Sequence, residues 1–102
     1  MRYLDKRGVK RTFDEIRYSI LSSLIKGQKT INDISTRTKI NWKTVEHHLT
    51  WLNGRGLVKE VFSSAYVRIF EITKSGNLIL SHYDEYHSNG ANGNGFKWRI
   101  TR

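Results

Sequence analysis

The segment from Asn41 to Val58, NWKTVEHHLTWLNGRGLV, restricts the fold of this chain more than any other part of it. Val45, Leu49 and Leu52 recur at intervals of four and three residues, which places them on one side of an α-helix. The asparagine before this run can cap the first turn, and the two glycines after it can end the helix. We therefore predict a helix over about residues 42–53 with one buried side and one polar side.

Two more helices are predicted upstream of this segment. Thr12 and Glu15 have the spacing of a capping box, in which a hydroxyl and a carboxylate satisfy each other's backbone N–H groups. Apolar residues follow at helical intervals and predict a helix over about residues 14–26, ended by Gly27 in the left-handed conformation. Thr30 can cap a short second helix, INDISTRT.

The residue types change after Gly56. LVKEVF and VRIFEIT are rich in β-branched and aromatic residues, and the polar SSAY between them predicts a two-stranded hairpin. Thr73 can then cap a last helix, KSGNLILSHYDEYH. A helix-turn-helix followed by a β-hairpin and a final helix is an α+β fold of the winged helix-turn-helix type. Its order is helix, helix, helix, strand, strand, helix.

The length of 102 residues suits one small domain. We expect a flexible basic arm over residues 1–11, the winged-helix domain over 12–88, and a flexible Gly/Asn-rich tail with a basic and aromatic end over 89–102. The sequence has no apolar run long enough for a membrane span and no secretory signal at its start. We expect a cytoplasmic protein.

The charge of the chain indicates what it binds. Eighteen Lys and Arg residues against nine Asp and Glu give a formal net charge of +9, which attracts nucleic acid or an anionic membrane surface. The alternative is that the charge serves solubility alone. The absence of cysteine excludes disulfides and thiolate metal sites.

The stretch ISTRTKINWKTVEHHLTWLNGRGLV resembles the helix-turn-helix of the winged-helix transcriptional regulators, and EITKSG is similar to the segment that follows their wing. Together these matches cover about residues 13–86. The resemblance implies a DNA-binding transcriptional regulator, of the small type common in archaea and archaeal viruses. The positions that match the family pattern are Ile34, Ser35, Ile40, Asn41, Thr44, Val45, His48, Leu49, Leu52, Gly56, Leu57 and Val58.

The polar side of the third helix predicts the contacts with DNA, since an α-helix fits the major groove of B-DNA. Lys43 can donate to guanine or to a phosphate, Glu46 can accept from cytosine, and His47 can do either. Thr44 is better placed for a backbone phosphate near the start of the helix. The alternative is an ordinary solvated face. The residues predicted to bind DNA are Trp42, Lys43, Thr44, Glu46, His47, Arg37, Lys39, Lys59 and Arg68.

Other residues are expected to be structural. His48 lies beside the apolar stripe and is assigned to packing, whereas Trp51 either covers the core or meets a partner. The N-terminal arm adds contacts with DNA or only solubilises the chain. The wing loop FSSAY contains no Lys or Arg.

No catalytic residue or cofactor is predicted, because the sequence has no nucleophile elbow, glycine-rich phosphate loop or paired carboxylates. No metal site is predicted, because the spacings in HYDEYH do not place two ligands on one side of a helix. Besides double-stranded DNA, a partner is a possible second copy, bound through apolar residues of the last helix. The residues expected in such a homodimer interface are Leu78, Leu80, Tyr83 and Tyr86. Two other functions stay open: a non-specific architectural DNA-binding protein, and a protein–protein adaptor that docks through Trp42 and Trp51.

Overall fold

The computed structural model describes residues 2–4 and 10–88, with side chains described over 11–84. The predicted α+β winged-helix order is confirmed between α1 and α4, and three short strands were not predicted. The elements are β1 (Arg2–Leu4), β2 (Lys10–Thr12), α1 (Phe13–Ser23), β3 (Lys29–Thr30), α2 (Ile31–Thr38), α3 (Trp42–Gly54), β4 (Val58–Ser63), β5 (Arg68–Ile72) and α4 (Lys74–Ser88).

Each helix begins at the cap that the sequence predicted. The Thr12 hydroxyl accepts from the Glu15 backbone N–H at 3.1 Å, and the Glu15 carboxylate accepts from the Thr12 N–H at 2.7 Å, completing the capping box. Thr30, Asn41 and Thr73 accept from backbone N–H groups in the first turns of α2, α3 and α4, at 3.0, 2.9 and 3.0 Å. These caps fix where α2 and α3 start, and so fix the turn between them.

The end of α1 differs from the prediction. The helix ends at Ser23, three residues early, and Leu24 to Lys26 continue as a turn. Gly27 closes that turn with a φ of 141°, outside the left-handed helical region that was expected, and its N–H donates to the Leu24 carbonyl at 3.2 Å. The chain is extended immediately afterwards, because Lys29 and Thr30 form a short strand.

The end of α3 follows the prediction closely. Gly56 has a φ of 74°, a left-handed conformation that costs glycine little. Its N–H donates to Asn53 at 3.0 Å, and the Leu57 N–H donates to Leu52 at 2.9 Å. These two bonds form a Schellman motif, which satisfies the last carbonyls of α3 and directs the chain into β4.

The sheet has the strand order β3-β5-β4, and all its pairs are antiparallel. The hairpin pairs Val58 with Ile72 at its base and has an irregularity between Glu60 and Phe62. The extra strand β3 is only two residues long, so its sequence carried no alternating pattern to predict it. The pair β1–β2 lies within the segment expected to be a flexible arm, and the flexibility of that arm stays a prediction. The predicted tail, 89–102, lies outside the described residues.

The core lies between the helices and the inner side of the sheet. Among its residues are Leu80 and Tyr83 of α4, which are 3% and 7% exposed. Two of the four residues expected in a dimer interface are therefore buried within the subunit, because α4 turns this side onto α1, where Tyr83 stacks on Tyr18 at 4.7 Å. Leu78 remains 59% exposed. Within the described part of the chain, no helix has the length and apolar character needed to cross a membrane.

The start of α4 approaches the connection between α3 and β4 very closely at Gly76. A Cβ atom added there would lie 2.1 Å from the Leu57 carbonyl oxygen. The Thr73 hydroxyl donates to the Gly56 carbonyl at 2.6 Å, and the Thr73 N–H donates to Leu57 at 3.1 Å. The conformation of the α3–β4 connection therefore depends on α4.

Candidate nucleic-acid interface

The helix α3 divides as the sequence predicted. Val45, Leu49 and Leu52 are fully buried. On the other side, Lys43 and His47 are exposed and Trp42 is 51% exposed. The predicted apolar stripe is confirmed, and it leaves one polar side of α3 accessible to a ligand.

This polar side forms one wall of an open groove with a volume of about 520 Å³. We call it the α3 groove. It brings together five residues of α3 and one residue of the hairpin, which enters from β5. Its lining residues are Lys43, Thr44, Glu46, His47, Thr50 and Arg68. Five of these six were predicted to bind DNA, and Thr50 is the additional residue.

An ion-pair network at the edge of the groove was not predicted from the sequence. The Arg68 guanidinium donates to both carboxylate oxygens of Glu60, at 2.7 and 3.2 Å, and to the Glu46 carboxylate at 3.1 Å. The hydrogen bond from Arg68 lowers the pKa of the Glu60 carboxyl, and the same bond raises the pKa of Arg68. Arg68 thus joins α3 to both strands of the wing, and its charge is balanced by two carboxylates. Glu46 is engaged with Arg68 as well as lining the groove.

His48 and Trp51 belong to a structural contact between α3 and α1. His48 is 1% exposed, and its Nδ1 accepts from the Arg17 guanidinium at 3.3 Å. Burial lowers the pKa of His48 to about 4, with smaller contributions from the charges of Arg17 and His47. The ring of Trp51 lies between two guanidinium groups, those of Arg17 at 3.6 Å and Arg55 at 4.6 Å. The assignment of His48 to packing is confirmed, and Trp51 covers the core.

Trp42 lines a second groove, of about 420 Å³, between the start of α2, the start of α3 and the wing tip. The wing tip closes as a tight turn, with the Ser64 N–H donating to the Val67 carbonyl at 2.8 Å. Tyr66 and Val67 project from it and are exposed. The wing tip, whose loop FSSAY contains no Lys or Arg, therefore presents the aromatic residue Tyr66 to solvent.

The remaining predicted residues are exposed but do not line the α3 groove. Lys39 ends α2 with a φ of 61°, so that only Lys39, Ile40 and Asn41 separate α2 from α3. Lys59 lies on β4. Arg37 lines a different groove, beside α1.

Three helices followed by a hairpin, with a short turn between the second and third helices, define a winged helix-turn-helix protein. The chain has this fold. Residues 14–60, a little under half of the chain, match the family described as bacterial regulatory protein, arsR family. No curated protein sequence matches the chain significantly.

Solved structures support the fold. The DNA-binding protein Sso10a-2 from Sulfolobus solfataricus superposes with a TM-score of 0.69 at 24% identity, over 78% of this chain and 82% of that one. The transcriptional regulator BldR from the same organism gives a TM-score of 0.66 at 22% identity, over 72% of this chain but only 55% of BldR, so the chain spans about half of that regulator. The homodimeric winged helix-turn-helix domain Mb0332 from Mycobacterium bovis gives 0.63 at 20% identity, over 78% of this chain and 77% of that one.

Proposed function

We propose that this protein is a sequence-specific double-stranded DNA-binding transcriptional regulator. In this proposal α3 enters the major groove and the wing lies beside it. The observation that carries the proposal is the α3 groove, in which the polar side of α3 is exposed within a matched helix-turn-helix. A net charge of +9 supplies the attraction for the phosphate backbone.

Within the groove, each side chain has a contact that suits its chemistry. Lys43 and His47 are exposed near the start of α3 and suit base edges, where Lys recognises guanine and His accepts or donates. Thr44 and the first N–H groups of α3 suit a phosphate. Trp42 can pack on sugars or thymine methyl groups. Glu46, which Arg68 holds through one carboxylate oxygen, can accept from cytosine through the other.

Basic residues outside the groove extend the contact with the backbone. Lys39, Lys59 and Arg37 suit phosphates on either side of the major-groove contact. If about six to eight phosphates are bound, affinity falls by about three to five decades between 50 and 200 mM salt. A protein acting in this way works inside the cell, on chromosomal or viral DNA.

Enrichment of bound duplexes from a randomised pool tests the proposal. The wild type is expected to enrich a preferred sequence. The double variant Lys43→Ala/His47→Ala is expected to keep its fold and to lose that preference. Lys74→Ala/His82→Ala is a matched control, since it removes an exposed Lys and an exposed His from α4. Equal preference in all three proteins would contradict the assignment of the site.

Two other functions stay open, and the second has a specific observation in its favour. An architectural DNA-binding protein would show a steep salt dependence and no preferred sequence, so the same enrichment distinguishes it. An adaptor is favoured by the exposed Trp42, Tyr66 and Val67 around one groove, which is an apolar surface of the kind that binds proteins. Absence of any shifted band with random DNA at low salt would favour the adaptor.

A homodimer through α4 is also part of the proposal. Leu78 is the exposed apolar residue of that helix among those whose side chains are described. Two-fold symmetry would place half-sites about one helical turn apart on a near-palindromic operator. Light scattering of the wild type and of Leu78→Gln tests this: a dimer that dissociates in the variant supports it, and a monomeric wild type at micromolar concentration excludes it.

A further inference from the structure

A third groove, with a volume of about 600 Å³, lies beside α1 and the end of α2. We call it the α1 groove. Its lining includes four basic side chains, one each from β2, the turn after α1, β3 and α2, together with serines of α1. The residues that matter here are Arg11, Lys26, Lys29, Arg37, Ser19 and Ser22.

The charge of the α1 groove selects the kind of ligand. Four cations line it, and no Asp or Glu does so among the residues that the structure describes. Such a surface repels cations and suits anions. Guanidinium and ammonium groups bind phosphate strongly, Arg by paired hydrogen bonds and Lys as a point charge.

The hydroxyl groups of the groove add one oriented donor. The Ser19 hydroxyl oxygen accepts from the Arg11 guanidinium at 3.3 Å, so its own hydrogen can be donated to a ligand. The Ser23 and Thr38 hydroxyls instead donate to backbone carbonyls, at 2.6 and 2.7 Å. Among the Ser19, Ser23 and Thr38 hydroxyls, that of Ser19 is therefore the one that can donate to a phosphate oxygen.

The α1 groove is separate from the α3 groove. The two have no described lining residue in common. On α1, Ile20 is buried in the core that α3 also packs against, whereas Ser19 and Ser22 line the α1 groove. The turn after α1 divides in the same way, with Leu24 in the core and Lys26 in the groove. DNA bound by α3 would thus leave the α1 groove accessible.

We propose that the α1 groove is a second site for the phosphate backbone of nucleic acid. This goes beyond the proposed function, in which only α3 and its surroundings contact the operator. The phosphates can come from a second duplex, which the protein would then link to the first, or from a distant part of the same duplex that bends around the protein.

Charge reversals in the full chain test this proposal with random-sequence duplexes, so the result does not depend on any sequence preference of α3. Lys26→Glu and Lys29→Glu act on the α1 groove and leave Arg37, which the proposed function also assigns to the operator backbone, unchanged. Lys74→Glu makes the same change in charge on α4 and is the control. A thermal melt confirms that each variant folds.

In the first assay, a duplex on beads captures a fluorescent second duplex through the protein. In the second, affinity is compared for single duplexes of about 15 and 60 base pairs. Relative to Lys74→Glu, each groove variant is expected to reduce capture in the first assay, or affinity for the long duplex alone in the second, by about three- to tenfold. The slope of log affinity against log salt should also be smaller by about 1.

Reduced capture assigns the phosphates to a second duplex, and reduced affinity for the long duplex alone assigns them to the same duplex. Either result supports the site. If both groove variants match Lys74→Glu in both assays, the proposal is overturned. Loss of sequence preference in Lys43→Ala/His47→Ala is a separate result, so the two proposals fail independently.

Discussion

Burial of His48 predicts a specific dependence of stability on pH. The pKa of His48 is lowered from 6.5 to about 4, chiefly because the ring is 1% exposed between α3 and α1. The unfolded chain therefore binds a proton that the folded chain does not. Stability from this group is fully present above pH 6.5 and is lost as the pH falls from 6.5 towards 4.

The magnitude follows from the two pKa values. Each unit of difference corresponds to about 1.4 kcal/mol, so protonation costs about 3 kcal/mol in total, of which about 2 kcal/mol is lost by pH 5. The lowered pKa of Glu60 changes stability only below about pH 4.5, so between pH 7.5 and 5 the expected loss of stability comes from His48. A loss of about 2 kcal/mol is a large part of the stability of a small domain.

Urea denaturation at pH 7.5, 6 and 5 measures this loss. His48→Gln is expected to be less stable at pH 7.5 because it disturbs the packing. It should then lose less than about 0.5 kcal/mol down to pH 5, since glutamine does not titrate. His82→Gln, at an exposed position on α4, should keep the dependence of the wild type. If wild type and His48→Gln lose the same free energy, the burial of a neutral His48 is refuted.

Two further predictions concern close packing and charge. Gly76→Ala should destabilise the domain by about 2 kcal/mol or more in a urea melt, since the added Cβ meets the Leu57 carbonyl. Gly54→Ala is the control and should change stability by less than about 1 kcal/mol, because nothing lies within 4 Å of its added Cβ. Equal effects of the two substitutions would argue against the close approach of α4. Lys43→Gln should lower the slope of log affinity against log salt by about 1. Arg68→Gln should leave this slope nearly unchanged, because the Arg68 guanidinium is bonded to two carboxylates. Equal slopes for the two variants would make Arg68 a phosphate contact.

The sequence predicted the fold where one local signal was sufficient. Thr12, Thr30, Asn41 and Thr73 cap helices because their side-chain oxygens act on N–H groups two or three residues away. The left-handed Gly56 is similar, since the Schellman motif is local. The stripe on α3 needs only a helical period. Such features depend little on the rest of the fold.

Contacts between distant parts of the chain were not predictable in the same way. Strand β3 exists only because β5 is available to pair with it, and two residues carry no pattern. The bond of Arg68 to Glu46 spans 22 positions and depends on how the wing packs against α3. The sequence could not show whether Leu80 and Tyr83 are buried within the subunit or in a dimer interface. A helical pattern identifies apolar residues, but it does not show which surface covers them.

The most direct test of the whole account is an NMR titration of the protein with the duplex that it enriches. We predict intermolecular contacts between side-chain protons of Trp42, Lys43 and His47 and major-groove protons, such as cytosine H5 and thymine methyl groups. Contacts of these bases with the wing or α4 instead, with the α3 side chains unchanged, would contradict the assignment of α3 as the helix that recognises DNA.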